Sequence, residues 1–147
     1  MKLLIIAVGK GHDVGIKDAV GDFTGRIQHV FPIEWAFVPT DTVDKESERI
    51  LKLMKADDYV ILLDERGKEL SSPEWARAIE MRMNEGTKRI VFIIGGAYGV
   101  SDDVKKSADA TWSLSRLVFP HQIVRLILAE QIYRALSIIR GEKYHHA

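Results

Sequence analysis

The chain has 147 residues, 46% of them hydrophobic and 29% charged, with Lys plus Arg equal to Asp plus Glu at 21 each. This is ordinary globular composition, and over the whole chain it gives no sign of a polyanionic partner. The absence of cysteine excludes a disulfide scaffold, a thiolate nucleophile and cysteine-ligated zinc, and no targeting segment opens the chain, so a cytoplasmic protein with one domain over residues 1–147 is expected.

In chain order, "KLLIIAVG" (Lys2 to Gly9) reads as a first strand, and its continuous apolar character is that of a strand buried on both faces. Residues His12 to Val30 are expected to hold the first helix, although Gly15, Gly21 and Gly25 each cost about 1 kcal/mol in a helix interior. "IEWAFVP" (Ile33 to Pro39) is a second strand, and "DKESERILKLMK" a helix with an apolar stripe at Ile50, Leu51, Leu53 and Met54. "DYVILLD" (Asp58 to Asp64) is a third strand. "LSSPEWARAIEMRM" then opens a helix with a serine N-cap and Pro73 in the first turn, where a missing N–H costs least. "RIVFIIGG" (Arg89 to Gly96) and the shorter "ATWSLS" (Ala110 to Ser115) complete five strands, and their alternation with helices predicts an α/β fold with a parallel sheet.

The last helix runs from Pro120 to a stop at Gly141. Apolar residues from Ile123 to Ile139 leave little of its circumference polar, while its Arg and Glu exclude a membrane span. It should therefore be buried on more than one side, and a homodimer is expected to supply the second. Residues 111–147 carry a net +3, with basic residues Arg116, Arg125, Arg134, Arg140 and Lys143, and also hold His121, His145 and His146. A polyanion should meet this end of the chain.

"FIIGGAYGV" (Phe92 to Val100) stops a strand on glycines, as where a ligand approaches the backbone closely or where the chain merely turns. The phosphate cradles do not match. "GKGHDVG" carries Val14 where the dinucleotide fingerprint needs its third glycine, and "GGAYG" lacks the Lys-Ser/Thr of a P-loop. A ligand without phosphates fits better. Taken alone, His121 could simply satisfy a carbonyl, Glu130 and Arg134 could form an i,i+4 ion pair, and Tyr144 to His146 could fray. No third ligand stands at a recognisable spacing from His145 and His146, so no metal is expected.

The motifs "IIGGAYG", "WSLSRLVFPHQIVRLILAEQIYRA" and "IIRGEKYH", with "LLDERGKELSSPEWA" and "KLLIIAVGK", together resemble the RlmH family of SPOUT-class methyltransferases over nearly the whole chain. The chain departs from that family in the glycines of His12 to Val30, in a shorter connection after Pro39, and at His146, where some members have Arg. The resemblance implies transfer of a methyl group from S-adenosylmethionine to N3 of a pseudouridine in 23S ribosomal RNA, with the RNA or the ribosome as substrate. It implies a SPOUT-type parallel-sheet domain whose C-terminal segment forms a deep trefoil knot, an exception to the rule against threading. It implies cofactor binding by backbone groups of Leu63, Gly95, Leu114, Ser115, Arg116, Leu117, Val118 and Phe119. Gly95 and Gly96 would be small so that the cofactor can lie against the main chain. His145, Tyr144 or His121 would assist loss of the N3 proton, Arg125, Arg134, Arg140 and Lys143 would neutralise RNA phosphates, and Tyr144 could stack on a base. The alternatives are the same fold acting on another RNA position, such as a tRNA base or a ribose hydroxyl, and a nucleotide-binding module without chemistry.

Overall fold

The computed structural model describes residues 1–146; Ala147, the last residue of the expected domain, lies outside the described residues. Five strands, β1 (Lys2–Val8), β2 (Ile33–Val38), β3 (Tyr59–Glu69), β4 (Arg89–Ile94) and β5 (Ala110–Ser113), form one sheet in the order β2-β1-β4-β3-β5. Every pairing is parallel, as the apolar runs predict. Side-chain alternation along β1 explains those runs. Leu3, Ile5 and Ala7 enter a core with Ile27, Trp75, Ile79, Leu128 and Ile132, while Leu4, Ile6 and Val8 enter another with Ile50 and Val104. Helices α1 (Val14–Gln28), α3 (Ser72–Asn84) and α5 (His121–Ile139) therefore cover one face, and α2 (Val43–Leu53) and α4 (Asp102–Ser107) the other.

Local chemistry sets the helix ends. Ser71 and Glu74 form a reciprocal capping box at α3, with Ser71 N donating to Glu74 Oε1 (2.9 Å) and Glu74 N to Ser71 Oγ (3.2 Å). Gly141 ends α5 at φ +70°, a left-handed conformation that glycine adopts without steric cost. Helix α1 forms despite its three glycines because Ile16, Val20 and Ile27 face the core, whereas Gly15, Gly21 and Gly25 face open space.

Three elements depart from the sequence expectation. The apolar stripe of α2 packs at Ile50, Leu51 and Met54 but leaves Leu53 exposed, and the polar Glu46 and Ser47 are buried. Strand β3 continues past Asp64 to Glu69, breaking register between Leu63 and Lys68 before pairing with Trp112 and Ser113 of β5. Its Gly67 is required by space, since a Cβ there would lie 2.7 Å from the Thr111 carbonyl oxygen. Helix α4 is not anticipated by the apolar pattern; Ser101 caps it, accepting from Val104 N at 3.4 Å.

Candidate active site

The part of β3 where its pairing with β4 ends (Leu62 to Arg66), the carboxyl end of β4, the segment after β5 and the first turn of α5 enclose a cavity of about 640 Å³. This is where open parallel sheets receive ligands, and the volume falls within the roughly 300–1,000 Å³ typical of small-molecule sites. Leu63, Gly95, Leu114, Ser115, Leu117, Val118 and Phe119 all line it, as does His121. Arg116 does not: its side chain is 87% exposed and pairs with Glu69 at 3.5 Å. If Arg116 contributes, it does so through its backbone.

Hydrogen bonds shape the wall. Ser113 Oγ donates to Ser115 O (2.8 Å) and Leu117 N donates to Ser115 Oγ (3.0 Å), folding the segment after β5 into the cavity rim. The opposite rim is a tight turn in which Gly99 N donates to Gly96 O (3.0 Å), with Gly99 at φ +82°. Gly95 is small for a reason within the fold itself. Its φ is not in the left-handed region, and a Cβ there would meet Val100 Cγ1 at 2.9 Å, so it makes room for the protein's own turn. A Cβ on Gly96 would lie 2.9 Å from Glu46 Oε1. Buried Glu46 and Ser47 brace this region from α2, Glu46 Oε2 accepting from Asp41 N (2.8 Å) and Ser47 Oγ from Ser101 N (2.9 Å).

Sequence reasoning assigned no role to Asp64, Glu65, Arg66 or Tyr98, which also line the cavity. Charged residues directly after an apolar strand end were the available signal. Asp64 accepts from Arg66 Nε (3.2 Å) and Nη2 (3.1 Å), and this pairing holds its carboxyl below the usual range despite partial burial.

Among the expected RNA contacts, Arg125 is corrected: it is completely buried and cannot reach a phosphate. Its Nε and Nη2 donate to His121 Nε2 at 3.2 and 3.1 Å, and its guanidinium lies 5.1 Å from the Phe37 ring centre. His121 Nδ1 stands 3.1 Å from Gly95 O. Since a carbonyl only accepts and a guanidinium only donates, His121 carries its proton on Nδ1, and its Nε2 lone pair is occupied. A histidine so committed is a poor proton acceptor. Burial, and then Arg125, hold its pKa below the ordinary value.

The tail folds back onto α5. Tyr144 packs edge-on against Tyr133 with centroids 4.8 Å apart, under the Arg134 guanidinium at 4.7 Å. Arg134 Nη1 donates to His145 Nδ1 (3.2 Å), and Arg134 is otherwise bound to Glu130 at 2.9 Å. Burial raises the Tyr144 pKa. Arg140, paired with Glu142 at 3.1 Å, and Lys143 remain at the surface. Arg134 lies ten residues beyond Val124, the last α5 residue of the cavity, or about 15 Å along the axis. Tyr144 and His145 are therefore not at the cavity of their own chain.

The profile described as "Predicted SPOUT methyltransferase" matches residues 1–145. The chain belongs to the SPOUT methyltransferase family. Its relatives in that family match end to end. A protein of Geobacter metallireducens named ribosomal RNA large subunit methyltransferase H is 42% identical over 154 residues, covering 100% of both chains. Proteins of the same name from Geotalea daltonii (41% over 153 residues) and Christiangramia forsetii (40% over 156 residues) each cover 99% of this chain and 100% and 99% of their own. Among the described residues, no helix is long and apolar enough to cross a membrane.

Proposed function

We propose that this SPOUT protein is a single-domain cytoplasmic methyltransferase that uses S-adenosylmethionine to methylate N3 of a pseudouridine in large-subunit ribosomal RNA. The observation that carries the reading is convergence: seven residues from three separate stretches, Leu63, Gly95 and Leu114 to Phe119 without Arg116, line one cavity. Relatives matching over their full length are named for methylation of large-subunit ribosomal RNA. A knotted C-terminal segment suits the topology. Strand β5 lies outside β3, yet α5 begins against Gly95 at the end of β4 and packs on both α1 and α3, so Leu114 to Pro120 return from the sheet edge to its middle.

The cavity fits the cofactor. Its wall is largely backbone and apolar side chain, suited to an adenine and a thioether chain, and the Asp64 and Glu65 carboxylates suit a cationic ligand. When bound, S-adenosylmethionine supplies a methyl group already activated on a sulfonium. The chain's own residues then have to align the acceptor ring, exclude water and accept the N3 proton. Leu117 and Val118, both exposed, would close over the site, and Tyr144 and His145 would meet the acceptor base.

Because the tail stands away from its own cavity, the reading calls for a homodimer in which each tail serves the partner's cavity. Exposed Val14, Leu117, Val118 and Ile123 supply apolar surface for that interface. Sedimentation at micromolar concentration should show a dimer; a 16.6 kDa species alone would refute it. Coexpressing a cavity-filled Ser115→Trp chain with a Tyr144→Ala chain should give activity above that of either variant alone.

The test of function is transfer of labelled methyl from S-adenosylmethionine to ribosomes from a strain lacking the enzyme, with the product mapped by mass. Label at N3 of a pseudouridine in the large-subunit RNA is expected. Label elsewhere in RNA would reassign the substrate, and cofactor binding without transfer would leave a binding module.

A further inference from the structure

Arg125 carries a charge that the fold keeps at a cost. It is 0% exposed, yet among the described residues no carboxylate lies within ion-pairing reach of it; Asp13, in the loop before α1, acts only from further away. Burial without a counter-ion costs several kcal/mol, and an apolar side chain of similar length would fill the space without it. The partners it has are unusual. The guanidinium donates to two imidazoles, His121 Nε2 (3.1 and 3.2 Å) and His12 Nδ1 (3.4 Å), and to Val8 O (3.4 Å). A guanidinium has five donors and no acceptor, so each facing nitrogen must present a lone pair. His12 must then be neutral with its proton on Nε2, and His121 neutral with its proton on Nδ1, the atom 3.1 Å from Gly95 O.

We infer that Arg125 is a positioning residue: by occupying Nε2 of His121 it imposes the tautomer that locks the Gly95 carbonyl, and through His12 it ties that lock to the loop between β1 and α1. Peptide planarity extends the constraint to the whole 95–96 unit of the cavity wall. Gly9 belongs to the same arrangement, since a Cβ there would lie 3.3 Å from Arg125 Nη2. The inference rests on reading the cavity as the cofactor site. The charged and titratable groups facing His121 are Arg125 from its own helix and Glu46 from α2; those facing His12 are Arg125 and Lys17. Burial and Arg125 lower both imidazoles from their ordinary pKa, consistent with two neutral rings at neutral pH.

The test reads tautomers and affinity separately. Imidazole 15N spectra of the ligand-free wild-type protein at about pH 8 should show His121 as the Nδ1–H form and His12 as the Nε2–H form; free histidine prefers Nε2–H, so the Nδ1–H form of His121 is the informative signal. In Arg125→Met the His121 signature should be lost, and S-adenosylmethionine should bind about tenfold more weakly by calorimetry, the equivalent of one hydrogen bond. Removing Arg125 takes away one of the two causes that lower His121, so the deficit should shrink as the pH falls and the ring protonates, because an imidazolium donates from Nδ1 whatever its partner. Unchanged tautomer and affinity in the variant would overturn the inference. So would an Nε2–H His121 in the wild type, which needs no variant to fold; Arg125→Lys, whose ammonium can still donate to His121 Nε2, should retain the Nδ1–H tautomer that Arg125→Met loses. A wild-type protein with the expected tautomers and no affinity for S-adenosylmethionine would sink the cofactor reading instead.

Discussion

Replacing Tyr144 with alanine should separate cofactor binding from work on RNA. The ring contributes an edge-to-face pair with Tyr133 at 4.8 Å, worth about 0.5–1.5 kcal/mol, and a cation–π contact with Arg134 at 4.7 Å, worth about 0.5–1 kcal/mol at a partly exposed site. Together these give about 1–2.5 kcal/mol holding the tail against α5. At 1.36 kcal/mol per decade, its loss lowers the docked population, and with it methyl transfer under subsaturating ribosomes, by about 5- to 70-fold. The affinity for S-adenosylmethionine should change little, because the cavity residues on α5 end at Val124, about 15 Å along the helix from Arg134. Tyr144→Phe keeps both ring contacts and discriminates anchoring from chemistry: near-normal activity points to anchoring, and a loss as large as that of alanine points to the hydroxyl. The assay is labelled-methyl transfer to ribosomes alongside calorimetry on the same preparation. Full activity of Tyr144→Ala would refute the reasoning, and a matching loss of cofactor affinity would make the tail part of the pocket.

The pH dependence of stability follows from His12 and His121, both lowered by burial and then by Arg125. The unfolded chain takes up protons near the ordinary value of about 6.5 while the folded chain does not, so the urea midpoint should fall as pH drops through that value and level off once the folded rings protonate; a flat midpoint from about pH 7.5 to 5.5 would contradict this. Gly67→Ala should destabilise the protein by about 1–3 kcal/mol in denaturant titration, because the methyl meets a backbone oxygen 2.7 Å away in β5 rather than a side chain that can move. The variant should also bind S-adenosylmethionine more weakly, since spreading β3 from β5 opens the cavity between their ends. Charge reversal of Arg140 and Lys143 to Glu should weaken ribosome binding and flatten its salt dependence by about one ion for each phosphate no longer neutralised, with cofactor affinity unchanged; equal salt slopes would place these residues away from RNA.

The sheet was legible in the sequence because both faces of each central strand are buried, which turns Leu3 to Val8 into an unbroken apolar run. The continuation of β3 was hidden for the opposite reason: Asp64 to Glu69 lie towards the surface beside β5, and their pairing leaves no hydrophobic signature. Helix α1 was nearly lost among its glycines, whose positions on the open face become visible only once Ile16, Val20 and Ile27 are seen to point inward. In α2 the stripe was legible at Ile50, Leu51 and Met54, which pack in the core, but Glu46 and Ser47 were not, because they are drawn inside by backbone N–H groups rather than by apolar contact. Seven of the eight expected cofactor residues meet at one cavity, a convergence recovered from resemblance and not from spacing. Arg125 misled by type, since arginine near a basic C-terminus reads as surface charge. Its position four residues after His121 was the one clue to a side chain facing inward along the same helix stripe.

The return of the chain from β5 to Gly95 has a consequence for biosynthesis. Residues after Ser113 leave the ribosome later than the whole sheet, and they supply both the inner surface of a core, through Leu128, Ile132 and Leu136, and one whole side of the cavity. A nascent or prematurely terminated chain therefore has strands with an open apolar floor and no enclosed site. Completion of the fold and closure of this cavity are the same event, and a chain that stops short of it exposes the apolar surface that promotes aggregation.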